Sequence, residues 1–286
     1  MKISDKYKNK IIDGKKLSLE INIATKEFIA RSTNKFKLAI ILASNDKSSE
    51  VYVRLKKKKA IELGIEIEIV SFDNSISKTG LLNKIESLNS DKSINGILLQ
   101  LPLYDHLEDN RSEIINSIKA EKDVDGLTAM QLGMSIHSNP NSFRPATVVA
   151  ILEALKSVVE DFIKLKGKNI VILNNSNLIG KPLAMILSNY GAIVTIANEN
   201  ITDLNDITKK ADVLVTATGK TNLMDYSMVK NGAILIDVTS VSTKNGVLGD
   251  IIPTEELLEK CSYYTPVPGG IGPMTIACLL RNVIKT

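Results

Sequence analysis

Apolar runs rich in β-branched residues recur along this chain, each separated from the next by enough residues for a helix. They are KLAIILAS (37–44), IEIEIVSF (65–72), INGILLQLPL (94–103), KNIVILNN (168–175), AIVTIAN (192–198), ADVLVTAT (211–218) and GAILIDVT (232–239). Strands that are apolar on both faces and joined by helical crossovers have one common solution. They pair in parallel and are covered by helices on both sides, so the expected class is α/β. Helical patterns lie at 13–31, 48–63, 77–90, 147–157, 180–190 and 272–284. In 77–90 the residues Leu81, Leu82, Ile85 and Leu88 form one stripe, with Ser77 as the cap.

A chain of 286 residues is at the length where a single core stops growing and chains divide. Two breaks in the pattern mark the division. SIHSNPNSFRPA (135–146) interrupts the periodicity with polar residues and two prolines, and TPVPGGIGP (265–273) precedes a last apolar helix. The expected arrangement is a first domain of 1–145 completed by 266–286, with a second domain, 146–265, inserted between.

A net charge of +4 is too small to argue for nucleic acid, and the chain has no tryptophan and 4% aromatic residues. The balance suits a small anionic substrate. Cys261 and Cys278 both lie in apolar periodic stretches and read as core, which fits a reducing compartment. The N-terminal MKISDKYKNK has no apolar core, and no run approaches the length that crosses a bilayer. The expectation is a soluble cytoplasmic protein with no nucleic-acid partner, no membrane association and no metal site.

Residues 51–60, VYVRLKKKKA, put Tyr52 four places before Lys56. On a helix these two share a face, while Lys57 and Lys58 turn away by about 100° and 200°. Neighbouring ammonium groups and partial burial both lower a lysine pKa, and a lysine lowered toward neutrality can act as acid or base. Three other stretches stand out. GILLQLPL ends an apolar strand on Gln100, where open parallel sheets bind ligands. KDVDG (122–126) carries Asp123, suited to bracing a turn, and Asp125, whose carboxylate can accept two parallel bonds from a planar donor edge. TPVPGGIGPMT (265–275) leaves main-chain groups uncovered at Pro268, Gly269 and Gly270 ahead of a helix N-terminus, as a ligand-cradling loop does.

Taken together, YVRLK, NGILLQLPL, KDVDG and TPVPGGIGPMT, with DGKKLS at 13–18, resemble the bifunctional methylenetetrahydrofolate dehydrogenase/methenyltetrahydrofolate cyclohydrolase family in order and spacing. The resemblance implies folate one-carbon chemistry and a second domain of Rossmann-like, dinucleotide-binding fold. It implies a catalytic Lys56, Gln100 working with it, Tyr52 packed over the folate rings, Asp125 holding the pterin edge and Ser49 beside the folate. It also implies tetrahydrofolate as substrate, NADP or NAD as cofactor, and a homodimer formed through the nucleotide domains.

The chain departs from the family pattern around the cofactor. NNSNLIGKP (174–182) keeps Ser176, Gly180 and Pro182, but Asn174 stands where the first glycine would be and Asn175 where relatives place arginine. Asparagine tolerates left-handed backbone, so the turn is expected to survive. Glu199, in IANENIT, would repel a 2′-phosphate and suits a ribose diol, the NAD pattern. Thr239 in DVTSV replaces a glycine, and RPATVVA (144–150) loses a proline and a glycine. Two alternatives therefore stay open: a cyclohydrolase with a vestigial cofactor domain, and a non-catalytic folate binder.

Overall fold

The computed structural model describes residues 5–198, 200–244 and 246–286. The chain begins with a 3-10 turn and α1 (Gly14–Arg31), then alternates β1 (Lys37–Leu42), α2 (Lys47–Leu63), β2 (Glu66–Ser71), α3 (Lys78–Ser90) and β3 (Gly96–Gln100). Short helices α4 (Asp105–Glu108), α5 (Arg111–Asn116) and α6 (Ala129–Ile136) follow, then α7 (Ala146–Val159). The remainder runs β4 (Asn169–Leu173), α8 (Gly180–Asn189), β5 (Ile193–Ala197), α9 (Leu204–Thr208), β6 (Val213–Thr216), β7 (Ile234–Asp237), β8 (Val241–Thr243), β9 (Gly246–Leu248), α10 (Glu255–Lys260), β10 (Tyr263–Tyr264) and α11 (Ile271–Val283).

The chain folds as two compact units, Leu19–Ala146 with Ile276–Thr286, and Thr147–Thr275 with the described residues up to Ser18. The first unit carries a parallel sheet in the order β2-β1-β3. One face packs on α3 through Leu81, Ile85 and Leu88, and the other takes Leu279, Leu280 and Val283 of α11. Leu280 and Val283 are fully buried, and side chains of this size are each worth roughly 1.5–3 kcal/mol when removed from water. That apolar debt explains why the last helix returns to the first unit. α2 starts because Asp46 accepts from the amides of Ser48 and Ser49, and it stops at Gly64, whose φ of 91° continues no helix.

The second unit has five parallel strands in the order β10-β7-β6-β4-β5, with β8 and β9 as a separate antiparallel pair. The division differs from the expected boundaries at both ends. The described residues up to Ser18, and Pro266–Thr275, belong with the second unit. Tyr7 is buried in its core, the Ile12 amide donates to the Tyr264 carbonyl, and the Lys10 ammonium caps α10 on the carbonyls of Leu258, Glu259 and Cys261. No periodicity signals these contacts, because they depend on single side chains and on an isolated bridge between Ile11 and Tyr264.

Candidate active site

α2 presents Tyr52 and Lys56 one turn apart, and both residues are half-buried. Lys57 and Lys58 are exposed, and Lys59 pairs with Glu62. The ammonium end of Lys56 is shielded from solvent and donates to Oε1 of Gln100 at 2.8 Å. Gln100 closes β3 opposite Leu42 of β1, at the carboxyl edge of the sheet. Its Nε2 donates to the Leu101 carbonyl at 2.8 Å, which turns the amide oxygen toward Lys56.

Burial holds Lys56 below the ordinary lysine range, and the Asp125 carboxylate opposes it. The neighbouring ammonium groups, named above as one cause, have no such role. They point away along the helix into water, where charge is screened. Burial pushes Asp125 up to about 6, against the pull of Lys56 and with the push of Asp123. The two acids of KDVDG have different duties. Asp123 is 1% exposed and accepts from the amides of Gly126 and Thr128 at 2.9 and 2.7 Å, so it braces the turn. Asp125 is half-buried and carries the electrostatic link to Lys56.

Ser49 is 2% exposed. Its hydroxyl lies 2.9 Å from Asp46 Oδ2 and 3.2 Å from the Leu101 carbonyl, the same oxygen that orients Gln100. Ser49 therefore ties the start of α2 to the end of β3. The Leu101 carbonyl is a site element that sequence reading missed, because a backbone acceptor leaves no mark on residue identity.

The other candidate binding residues singled out in the sequence lie in the second unit. Pro268, Gly269 and Gly270 form a backbone-lined loop before α11. Gly269 has φ of 112°, and a Cβ on Gly270 would lie 2.7 Å from the Pro266 carbonyl oxygen. At the β4–α8 turn Asn174 is not among the positive-φ residues, so no left-handed backbone is needed there. Its carboxamide organises the loop instead. Oδ1 accepts from Ser176 N at 3.0 Å, Ser176 Oγ at 2.6 Å and Gly180 N at 3.0 Å, while Nδ2 donates to the Ala217 carbonyl at 2.7 Å. The signal for this was present in sequence, since asparagine two places before serine is an Asx-turn pattern. Asn175 is exposed. Thr239 is buried, with its hydroxyl accepting from the Gly219 amide at 3.1 Å and its amide donating to Asp237. Glu199 lies outside the described residues.

Comparison with known proteins extends this picture over the whole chain. The family model for the tetrahydrofolate dehydrogenase/cyclohydrolase catalytic domain matches residues 12–125, and the model for the NAD(P)-binding domain of the same enzymes matches 145–286. The bifunctional protein FolD of Campylobacter hominis is 40% identical over 279 residues, covering 96% of each chain. That of Mycoplasma mycoides subsp. mycoides is 39% identical over 281 residues, covering 96% of this chain and 95% of its own. Among solved structures, the FolD methylenetetrahydrofolate dehydrogenase/cyclohydrolase of Campylobacter jejuni superimposes with a TM-score of 0.89 at 38% identity, over 96% of this chain and 97% of that one. The Trypanosoma brucei enzyme, solved with NADP and an inhibitor, gives 0.88 at 30% identity over 96% of each chain. A family match on both halves, with identity sustained from end to end, means that this chain belongs to the tetrahydrofolate dehydrogenase/cyclohydrolase family.

Proposed function

We propose that Lys56 is the acid–base group of a bifunctional folate enzyme, and that Gln100 and Asp125 set its charge state. The protein is a methylenetetrahydrofolate dehydrogenase and methenyltetrahydrofolate cyclohydrolase, acting in folate one-carbon metabolism. The observation that carries the residue assignment is the 2.8 Å bond from a desolvated lysine to a glutamine at the sheet's carboxyl edge.

The first step transfers a hydride from the one-carbon bridge of 5,10-methylenetetrahydrofolate and leaves a methenyl cation. Tyr52 supports that planar cation by stacking. In the second step water adds to the methenyl carbon. Neutral Lys56 takes one proton of the water as the C–O bond forms and returns it to the departing nitrogen as the C–N bond breaks. The remaining hydroxyl proton leaves to solvent as the formyl C=O forms, giving 10-formyltetrahydrofolate, while Gln100 holds the amine on line. Asp125, ionised above about 6, accepts from the aminopyrimidinone edge of the pterin. Ser49, Pro268, Gly269 and Gly270 are assigned to substrate binding with it.

When bound, NAD(P) supplies the hydride acceptor. The second unit suits it: a parallel sheet whose β4–α8 turn keeps Ser176 and Gly180, and where, among the described residues, none accepts from the amides of Asn175, Asn177 or Leu178. Those amides, with Thr239, would hold the cofactor, while Ser176 is engaged with Asn174 and shapes the turn. The test of the whole reading is a paired absorbance assay, loss of methenyltetrahydrofolate and reduction of NADP or NAD by methylenetetrahydrofolate. Loss at the spontaneous rate refutes the enzyme. Loss without reduction of either cofactor leaves the cyclohydrolase with a vestigial second domain.

The sign of the coupling between Lys56 and Asp125 gives a further expectation. The carboxylate raises the lysine's pKa, so Asp125→Asn lets the amine lose its proton at lower pH. At saturating folate the acid limb of the cyclohydrolase pH profile should move to lower pH in this variant; a limb that stays or moves up refutes the coupling.

We further infer a homodimer through β5 and a cytoplasmic location. β5 is an edge strand that exposes Ile193 at 57% and Ile196 at 40%, the kind of edge that pairs with a second strand. Ile193→Lys is expected to convert a dimer to monomer in analytical ultracentrifugation; an unchanged sedimentation profile removes β5 as the interface. The two cysteines are buried and not joined in a disulfide, which suits a reducing compartment. No helix among the described residues is long and apolar enough to cross a membrane.

A further inference from the structure

We propose that Asn174 is an affinity determinant of the cofactor site, a built-in acceptor that occupies the donors at the start of α8 and leaves the cofactor's phosphates to the outer loop amides. The inference rests on the reading that the β4–α8 turn is the phosphate-binding turn. In that turn a glycine at the position of Asn174 lets the backbone approach the pyrophosphate, and the helix N-terminus supplies N–H groups and the positive end of its dipole. Here the side chain reaches the donors first. One carboxamide oxygen takes the Gly180 amide, which opens the helix, together with both the amide and the hydroxyl of Ser176.

The carboxamide is fixed from its other end as well. Nδ2 donates to the Ala217 carbonyl at the end of β6, so a rotation that released Gly180 would also break that bond. Lys181 N and Ile179 N are committed within the turn, to the Ser176 carbonyl and hydroxyl. A phosphate arriving at this helix therefore finds the amides of Asn175, Asn177 and Leu178, but not those of Ser176 and Gly180. Hydrogen bonds to a charged acceptor are about twice as strong as neutral ones. Surrendering two such donors to a neutral carboxamide lowers affinity for NAD(P) while holding the turn in shape without it.

The test is binding, measured apart from turnover. In the full-length protein labelled with ¹⁵N, the Asn174 side-chain amide and the Gly180 and Ser176 backbone amides should stay in place on addition of NADH or NADPH, while Asn175, Asn177 and Leu178 shift. Large shifts at Gly180 with loss of the Asn174 signal overturn the proposal, and they do so in the unaltered protein. By calorimetry, Asn174→Gly and Asn174→Ala should bind NADH or NADPH roughly tenfold more tightly, the gain of one charge-assisted bond. Their thermal midpoint without cofactor should fall, because the turn loses its internal acceptor. Unchanged or weaker binding in a folded variant overturns the proposal. Absence of binding by any form, the parent included, refutes instead the assignment of this turn to the cofactor.

Discussion

Lys56→Met will reduce cyclohydrolase turnover by roughly 10²–10⁴-fold, the usual contribution of a positioned acid–base group. The substitution keeps an unbranched apolar stem, with sulfur in place of one methylene, and removes the amine. Folding should survive, because a desolvated ammonium is a cost to the native state and the methionine has no charge to bury. What is lost is the 2.8 Å bond to Gln100 and the one group within it that can change protonation. The readout is the decay of methenyltetrahydrofolate absorbance, set beside thermal unfolding of the same sample. A folded variant with less than a tenfold loss would assign the proton transfers to another residue. Gln100→Glu, by contrast, would place a second carboxylate near the amine, raise its pKa and move the acid limb upward.

Gly180→Ala is the substitution with the largest expected effect on stability. A Cβ at this position would lie 1.6 Å from the Asn174 carbonyl oxygen and 2.5 Å from its carbon. Both obstacles are backbone, so no rotamer change relieves the contact. Either the first turn of α8 or the end of β4 must move, and either movement separates the Gly180 amide from the Asn174 carboxamide. Overpacking of this kind costs about 3 kcal/mol or more, which in a protein of this size lowers the thermal midpoint by roughly 6–12 °C. Binding of NAD(P) should fall with it. Gly133→Ala is the matched control, a helical glycine with nothing within 4 Å of its Cβ position. It should leave the midpoint unchanged or slightly higher, since alanine is the better helix former. Equal midpoints for the two variants would mean that the turn is not packed as described.

Much of this could be read from the residues. The seven apolar runs became seven of the parallel strands because each is too short for a buried helix and too continuous for a surface strand. The stripe on 77–90 and its Ser77 cap recur in α3, with Ser77 accepting from the Gly80 amide. The helical spacing of Tyr52 and Lys56 put both on the inward face of α2, and the strand-end position of Gln100 brought it to the lysine. The helical readings succeed because periodicity fixes direction, whereas the pairing of Gln100 with Lys56 is implied only by the family resemblance.

Other features had no such periodicity. α4, α5, α9 and α10 are between four and six residues long, below the length at which a stripe can be recognised. The N-terminal segment joins the second unit through a few backbone and lysine contacts with residues far along the chain. The carboxamide of Asn174 was read for its backbone tolerance, when its side chain carries the consequence. Ser49 is singled out only by the family resemblance, and its hydroxyl is engaged with Asp46 and with the carbonyl that steers Gln100. Sequence names the group; only the fold says whether its bonds are already spent.

The central claim is that the Lys56 amine loses its proton more readily than an ordinary lysine because burial disfavours its charge. Competitive labelling with an amine-reactive reagent across a pH series, quantified residue by residue by mass spectrometry, measures this directly. The midpoint of Lys56 reactivity should fall at lower pH than those of the exposed Lys57 and Lys58 beside it, and lower still in Asp125→Asn. A Lys56 midpoint level with or above its two neighbours would contradict the account.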